Sequence, residues 1–112
     1  MDNYRIFVSE PAIEDMAEIA AYISTQLNSP DTAENMLDAF HEAISSLACM
    51  PKRYPLVRDD LLASLGYRLM PVKNYNVLFS VNESLSNARD VNIERVLYSK
   101  RNWKHLLNPL LE

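Results

Sequence analysis

The residues with the most chemical potential lie near the end of the chain. RVLYSKRNWKHLL, residues 95–107, gathers Arg95, Lys100, Arg101, Lys104 and His105 beside Tyr98 and Trp103. Two further cations, Arg68 and Lys73, sit in and just after the β-type run Tyr67–Val72. Guanidinium groups hold phosphates or carboxylates through two parallel hydrogen bonds. An imidazole among ammonium and guanidinium groups is biased toward its neutral form and can move a proton near neutral pH. The alternative for His105 is a solvent-facing side chain on a terminal turn. Arg95 interrupts an otherwise apolar run, VNIERVLY, and a buried unpaired charge is very costly. Its guanidinium must therefore reach solvent, a ligand or a carboxylate of its own chain, either among the neighbours of Glu94 or on a helix.

Several other chemistries find no support in the spacing. Gly66 is the single glycine, so there is no glycine-rich phosphate loop, and one cysteine with two separated histidines makes no zinc pattern. No Ser-His-Asp arrangement is visible, and no cofactor is implied. His41 reads as a partly exposed helix residue. Cys49, in the apolar stretch SSLACM, is expected to be a buried, inert thiol. MDNYRIFVSEP has no basic region leading into an apolar run, so it does not read as a signal peptide. No apolar stretch reaches the ~18 residues a membrane span needs. A cytoplasmic setting is the expectation.

Charge is unevenly placed. The formal net charge is −4, but residues 1–51 carry one base (Arg5) and nine acids, net −8, and residues 52–112 carry ten bases and six acids, net +4. Such asymmetry points either to an anionic partner on the basic side or to acids and bases occupying different faces of a stable fold.

The elements that must position these residues follow from periodicity. Tyr4–Val8 reads as a first strand. Ser9 then caps a helix with Pro11 in its first turn, and Ile13, Met16, Ala20, Ile23 and Leu27 repeat at helical spacing. Ser29-Pro30 starts a second helix, with Ala33, Met36, Leu37, Phe40, Ile44 and Leu47 as its stripe, ending at Met50-Pro51. The short link predicts an antiparallel helix hairpin. Residues 52–65 read as a loop with one short turn at Asp59–Ser64. Tyr67–Val72 and Tyr75–Val81 predict a β-hairpin around Lys73-Asn74, with Asn74 suited to a positive φ. A polar loop over Asn82–Asp90, a strand over Val91–Tyr98 and a short C-terminal helix from Ser99 complete the chain.

The predicted fold is α+β in one domain, residues 1–112. A long helix hairpin packs on one face of a small, mainly antiparallel sheet, in the order β-α-α-β-β-β, with a short C-terminal helix. The cations are expected on the far sheet face and at its rim.

With this order in hand, YRIFVSEPAIEDMAEIAAYI, the helix ending LACMPKRYP, GYRLMPVKNYNVLFSV and VNIERVLYSKRNWKHLL together resemble the RelE/ParE superfamily over residues 4–107. Its members are toxins of bacterial type II toxin–antitoxin modules. The long helix hairpin and RVLYSKRNW are most similar to the ParE-like branch. The resemblance implies a growth-arresting protein neutralised by a cognate antitoxin laid across the hairpin and sheet. It implies two possible targets. ParE-like members poison DNA gyrase by binding. RelE-like members cut messenger RNA on the ribosome without metal, the 2′-hydroxyl attacking its own phosphate. A third reading is a non-toxic binding module of the same fold.

For target or antitoxin binding, the resemblance points to Arg68, Lys73, Arg95, Lys100, Arg101, Trp103 and Lys104, met by acidic antitoxin side chains. For cleavage it points to Arg68 and Arg101, near a RelE-like strand lysine and terminal arginine, with Tyr98 or His105 as acid or base. Asn76 follows Tyr75 where that branch has an arginine, and Leu107 stands where it has a tyrosine.

Overall fold

The computed structural model describes residues 3–83 and 88–99. Its elements are β1 (Arg5–Val8), α1 (Glu10–Thr25), α2 (Pro30–Ser45), α3 (Asp60–Ser64), β2 (Tyr67–Val72), β3 (Tyr75–Glu83) and β4 (Arg89–Tyr98), with single 3₁₀ turns at Ser46–Ala48 and Pro51–Arg53. The sheet order is β1-β4-β3-β2. β1 runs parallel to β4, and the other neighbours are antiparallel. The expected α+β order is present. The expected C-terminal helix falls outside the described residues.

Ser9 is the joint between sheet and hairpin. Its Oγ accepts from the Ala12 N–H at 3.1 Å, capping α1, and donates to the Glu94 carbonyl at 2.8 Å. Its backbone N–H reaches the Ile93 carbonyl at 3.0 Å. One residue thus ends β1, starts α1 and sets their spacing against β4.

The hairpin packs α1 along α2 and over β4. On α2 the buried residues are Ala33, Met36, Phe40 and Ile44, with Leu47 beyond, as the stripe predicts; Leu37 lies at the edge of that face and is exposed. On α1 the buried face is rotated from the predicted one. Of the predicted stripe Met16, Ala20 and Ile23 do pack on the core, joined by Ala12 and Asp15, while Ile13 is more than half exposed and Leu27, past the end of the helix, is exposed too. The rotation brings a carboxylate, Asp15, to the sheet. The core closes on Met70, Val77, Phe79, Val91, Ile93 and Val96, with Tyr75 edge-on to Phe40 at 5.6 Å. On the other sheet face Val57, Leu62 and Leu78 form a small second cluster. Asp59 caps α3 through the Leu62 N–H at 3.0 Å, as the short-turn expectation requires.

Three local features differ from expectation. The left-handed residue of the β2–β3 turn is Lys73 (φ 54°), the first loop position, while the Asn74 carbonyl accepts from the Ser99 N–H. β3 and β4 extend to Glu83 and back to Arg89, because their ladder continues through Asn82↔Asp90 and Glu83↔Arg89, so the loop between them is shorter than predicted. Cys49 is exposed rather than buried. The reason is that α2 gives way to a 3₁₀ turn, and Met50 adopts φ 52° ahead of Pro51, which disfavours helical geometry in the residue before it.

Candidate functional site

The outer edge of β4 organises the site. β1 covers β4 only from Asp90 to Ile93. Beyond that point the register jumps: Phe79 pairs with Ile93 but Leu78 with Arg95, leaving Glu94 as an extra residue in a β-bulge. The outward backbone groups that follow are met by α1 rather than by a strand. The Glu94 carbonyl accepts from Ser9 Oγ, and the Val96 N–H donates to Asp15 Oδ2 at 2.9 Å.

Arg95 joins the same carboxylate. Its Nε reaches Asp15 Oδ2 at 2.7 Å and its Nη2 reaches Oδ1 at 2.8 Å. The side chains are only 20% and 10% exposed. The Asp15 hydrogen bonds raise the guanidinium pKa against the opposing effect of burial, and Glu18 and Glu14 add to the rise. Asp15 thereby accepts three hydrogen bonds, two from a cation and one from backbone. This is the intramolecular helix-acid pair that the sequence left open for Arg95. It corrects the expectation that Arg95 offers its charge on the far sheet face.

Arg68 is also engaged internally, though not by a carboxylate. It lies on the same sheet face as Met70 and Val72, the face that carries the hairpin, not the far one. Its Nη1 donates to the Tyr54 carbonyl at 2.6 Å, pinning the loop that follows α2. Tyr54 in turn packs edge-on to Phe79 at 6.2 Å. Arg53 behaves alike, donating to the Met50 carbonyl at 3.0 Å and lying over the Tyr54 ring at 4.8 Å.

The ladder sets Tyr98 level with Tyr75 and Val72. It is thus four residues along β2 from Arg68, roughly 13 Å at the rise of a strand, with Met70, Val77 and Val96 packed between. Arg68 and Tyr98 are therefore not assembled into one catalytic group. Lys73 is exposed at the hairpin turn, beside the Tyr98 end. Lys100, Arg101, Trp103, Lys104 and His105 lie outside the described residues.

Concavities flank the end of β4 on both sides. On the far sheet face a cavity of about 560 Å³ is lined by Pro55, Leu56, Val57, Arg58, Asp59, Leu69, Asn76 and Ser99. Asn76, the residue in place of a RelE-like arginine, thus faces a mostly apolar wall. On the α1 side, hollows of about 170 Å³ and about 540 Å³ share Tyr22, Tyr75 and Tyr98. The Tyr75 and Tyr98 rings meet edge-on at 5.9 Å. Burial raises the Tyr75 phenol pKa, with Tyr98 and Tyr22 contributing. Tyr22 and Tyr98 are about half exposed.

Elsewhere on the far face Glu94 is partly buried, which raises its pKa, and its charge adds to the burial-driven rise at Tyr67. Among the described residues no group of His, Cys, Asp and Glu is placed to hold a metal ion. No described helix is long and apolar enough to cross a membrane.

The profile described as "ParE toxin of type II toxin-antitoxin system, parDE" matches residues 6–103. The chain belongs to the ParE toxin family. It is a toxin component of a type II toxin–antitoxin system, as the ParE-like resemblance implies. No curated protein matches it in sequence. Among solved structures it is similar to a chain of the chromosomal ParDE toxin–antitoxin system from P. aeruginosa. That match has TM-score 0.70 and 14% identity, over 89% of this chain and 100% of the other. It is also similar to a chain of the toxin–antitoxin complex RelBE2 from Mycobacterium tuberculosis, with TM-score 0.54 and 18% identity, over 86% and 98%. At these identities the likeness is one of fold: the α+β order with a parallel β1 is shared.

Sequence reading missed Asp15, Tyr22 and Tyr75. The available signal for Asp15 was an acid at helical spacing between Ala12 and Ile19, where an apolar residue belongs. For Tyr22 and Tyr75 no local signal existed, because α1 and β3 meet there only in the folded chain.

Proposed function

We propose that this ParE-family toxin acts by binding DNA gyrase and is neutralised by a cognate antitoxin, rather than by cutting RNA. The observation that carries the reading is the separation of the two described cleavage candidates. Arg68 holds the Tyr54 carbonyl and Tyr98 packs on Tyr75, at opposite ends of the hairpin ladder. Cleavage of a phosphodiester needs an acid, a base and cations around one phosphate. A binding toxin needs no such convergence, and the apolar and aromatic hollows at the end of β4 suit protein contact better than a polyanion. The family match supports the toxin class, and the fold shared with ParDE and RelBE2 chains supports an antitoxin partner.

Purified protein is to be added to gyrase with relaxed plasmid and, separately, to a translating extract with a reporter message. Inhibited supercoiling with intact message is the expected result. Message cut at the ribosome with gyrase unaffected selects the RelE-like activity. Neither effect, with no growth arrest on expression, selects a non-toxic binding module.

A further inference from the structure

We infer that residues 58–66, which carry α3, form a hinged lid that opens from the far sheet face as a unit while the rest of the fold stays closed. Opening uncovers an apolar strip, Leu69 and Leu78, on the face opposite the helix hairpin.

The segment holds itself together through its own hydrogen bonds. The Ala63 N–H reaches the Asp59 carbonyl at 2.8 Å, the Leu65 N–H the Leu62 carbonyl at 3.1 Å and the Gly66 N–H the Ala63 carbonyl at 2.9 Å. Ser64 Oγ donates to the Leu61 carbonyl at 2.6 Å, and Asp59 Oδ1 caps the same turn at Leu62. These bonds survive a rigid-body movement, so opening costs side-chain packing rather than backbone pairing. That packing is small. Leu62 is the one residue of the segment that is fully buried, against Val57 and Leu78, with Ala63 beside it. Leu61 and Leu65, on the outer side, are 53% and 50% exposed. Alongside, the cavity of about 560 Å³ separates Arg58 and Asp59 from Leu69, Asn76 and Ser99. The hairpin core, by contrast, joins α1 and α2 to β2, β3 and β4.

The two ends differ. Just before the lid the chain is fastened: Arg68 holds the Tyr54 carbonyl, Tyr54 packs on Phe79, and the Val57 N–H donates to the Tyr67 carbonyl at 3.0 Å. The other end is Gly66, the single glycine, with φ 87°. A Cβ there would meet no atom within 4 Å, so space does not demand a glycine and the left-handed backbone does. Placed between a self-bonded turn and the edge strand β2, it is a pivot, free to cross between backbone regions that a side chain keeps apart. A segment pegged by one leucine, fastened at one end and pivoted at the other, opens at lower cost than the core unfolds.

Two neighbours on β3 read the two faces of the sheet. Leu78 faces the lid and Val77 the hairpin core, and they are 1% and 0% exposed. In the full chain carrying Cys49→Ser, which removes the exposed native thiol, Leu78→Cys and Val77→Cys are to be alkylated with iodoacetamide under native conditions. Each rate is referred to that variant's own unfolding equilibrium from a urea titration. Leu78→Cys should then react about a hundredfold faster than Val77→Cys. In the unmodified chain, NMR amide exchange of Ala63, Leu65 and Gly66 should proceed together, about a hundredfold faster than at Val77 and Phe79, and hardly respond to low urea. Gly66→Ala should speed exchange of the lid amides severalfold, since strain at a positive φ is relieved on opening. Lid amides that share the rate and urea slope of β3, or Leu78→Cys reacting no faster than Val77→Cys, overturn the lid. Unchanged lid exchange in Gly66→Ala overturns the pivot. If a cysteine variant does not fold, exchange in the unmodified chain decides alone.

Discussion

Asp15 offers the sharpest test of how this fold is held. It satisfies the Val96 N–H and both arms of the Arg95 guanidinium, and its own side chain is 10% exposed. Replacing it by Ala removes all three bonds and leaves a largely buried guanidinium without a carboxylate. Breaking a buried pair on one side costs about 3–5 kcal/mol. An unsatisfied backbone N–H adds about 1–3 kcal/mol where water cannot reach it. Arg95 is 20% exposed and can turn partly toward solvent, so the low end, about 3 kcal/mol, is expected for Asp15→Ala. Single domains carry about 5–15 kcal/mol in all, so this is a large share. At about 4 °C per kcal/mol for a domain of this size, Tm should fall by roughly 12 °C. The measurement is urea unfolding followed by circular dichroism at 222 nm, with Asp15→Asn and Asp15→Ala/Arg95→Met beside it. Asn keeps an acceptor for Val96 and should cost less than Ala. The double variant should recover part of the loss, because it removes the orphaned charge. A cost below about 1 kcal/mol for Asp15→Ala, or a double variant no better than the single, refutes the account of Asp15 as the clasp between α1 and β4.

Other outcomes follow from the same geometry. Ser9→Ala loses the α1 cap and the bond to the Glu94 carbonyl, and should cost about 1–2 kcal/mol by denaturant titration. Glu94 has a folded pKa raised by burial, so the folded state binds its proton more tightly than the unfolded chain does. Stability from this group is therefore lost as pH rises from the ordinary Glu value through the raised one. Glu94→Gln should raise Tm at neutral pH, and the gain should vanish below the ordinary Glu pKa. Phe40→Ala, at the fully buried centre of the hairpin core, should cost about 3–5 kcal/mol. Arg68→Ala should speed amide exchange over residues 52–57 while leaving gyrase inhibition within threefold, since its guanidinium holds the Tyr54 carbonyl; a complete loss of inhibition with an unchanged loop places Arg68 in the target contact instead.

Much of the architecture was legible in the residues themselves. Ser9 with Pro11 and Ser29 with Pro30 mark helix starts through local backbone chemistry, and local chemistry is what a sequence displays directly, whereas α2 ends at Ser45, short of the expected Met50-Pro51 stop. The stripe of α2 is legible because one apolar face meets one core. The hairpin of β2 and β3 is legible because two β-type runs flank a two-residue link. Arg95 was recognisable as a residue that must find a partner, since an arginine inside an apolar strand has few options. What the chain alone did not decide is which option it took. That depends on β1 ending at Val8, on the bulge at Glu94 and on a rotation of α1 that brings Asp15 rather than Ile13 to the sheet. These are long-range matters of register, in which one residue of slip changes which side chains meet. The aromatic groove at Tyr22, Tyr75 and Tyr98 has the same origin: its walls come from segments more than fifty residues apart in sequence, and only packing brings them together.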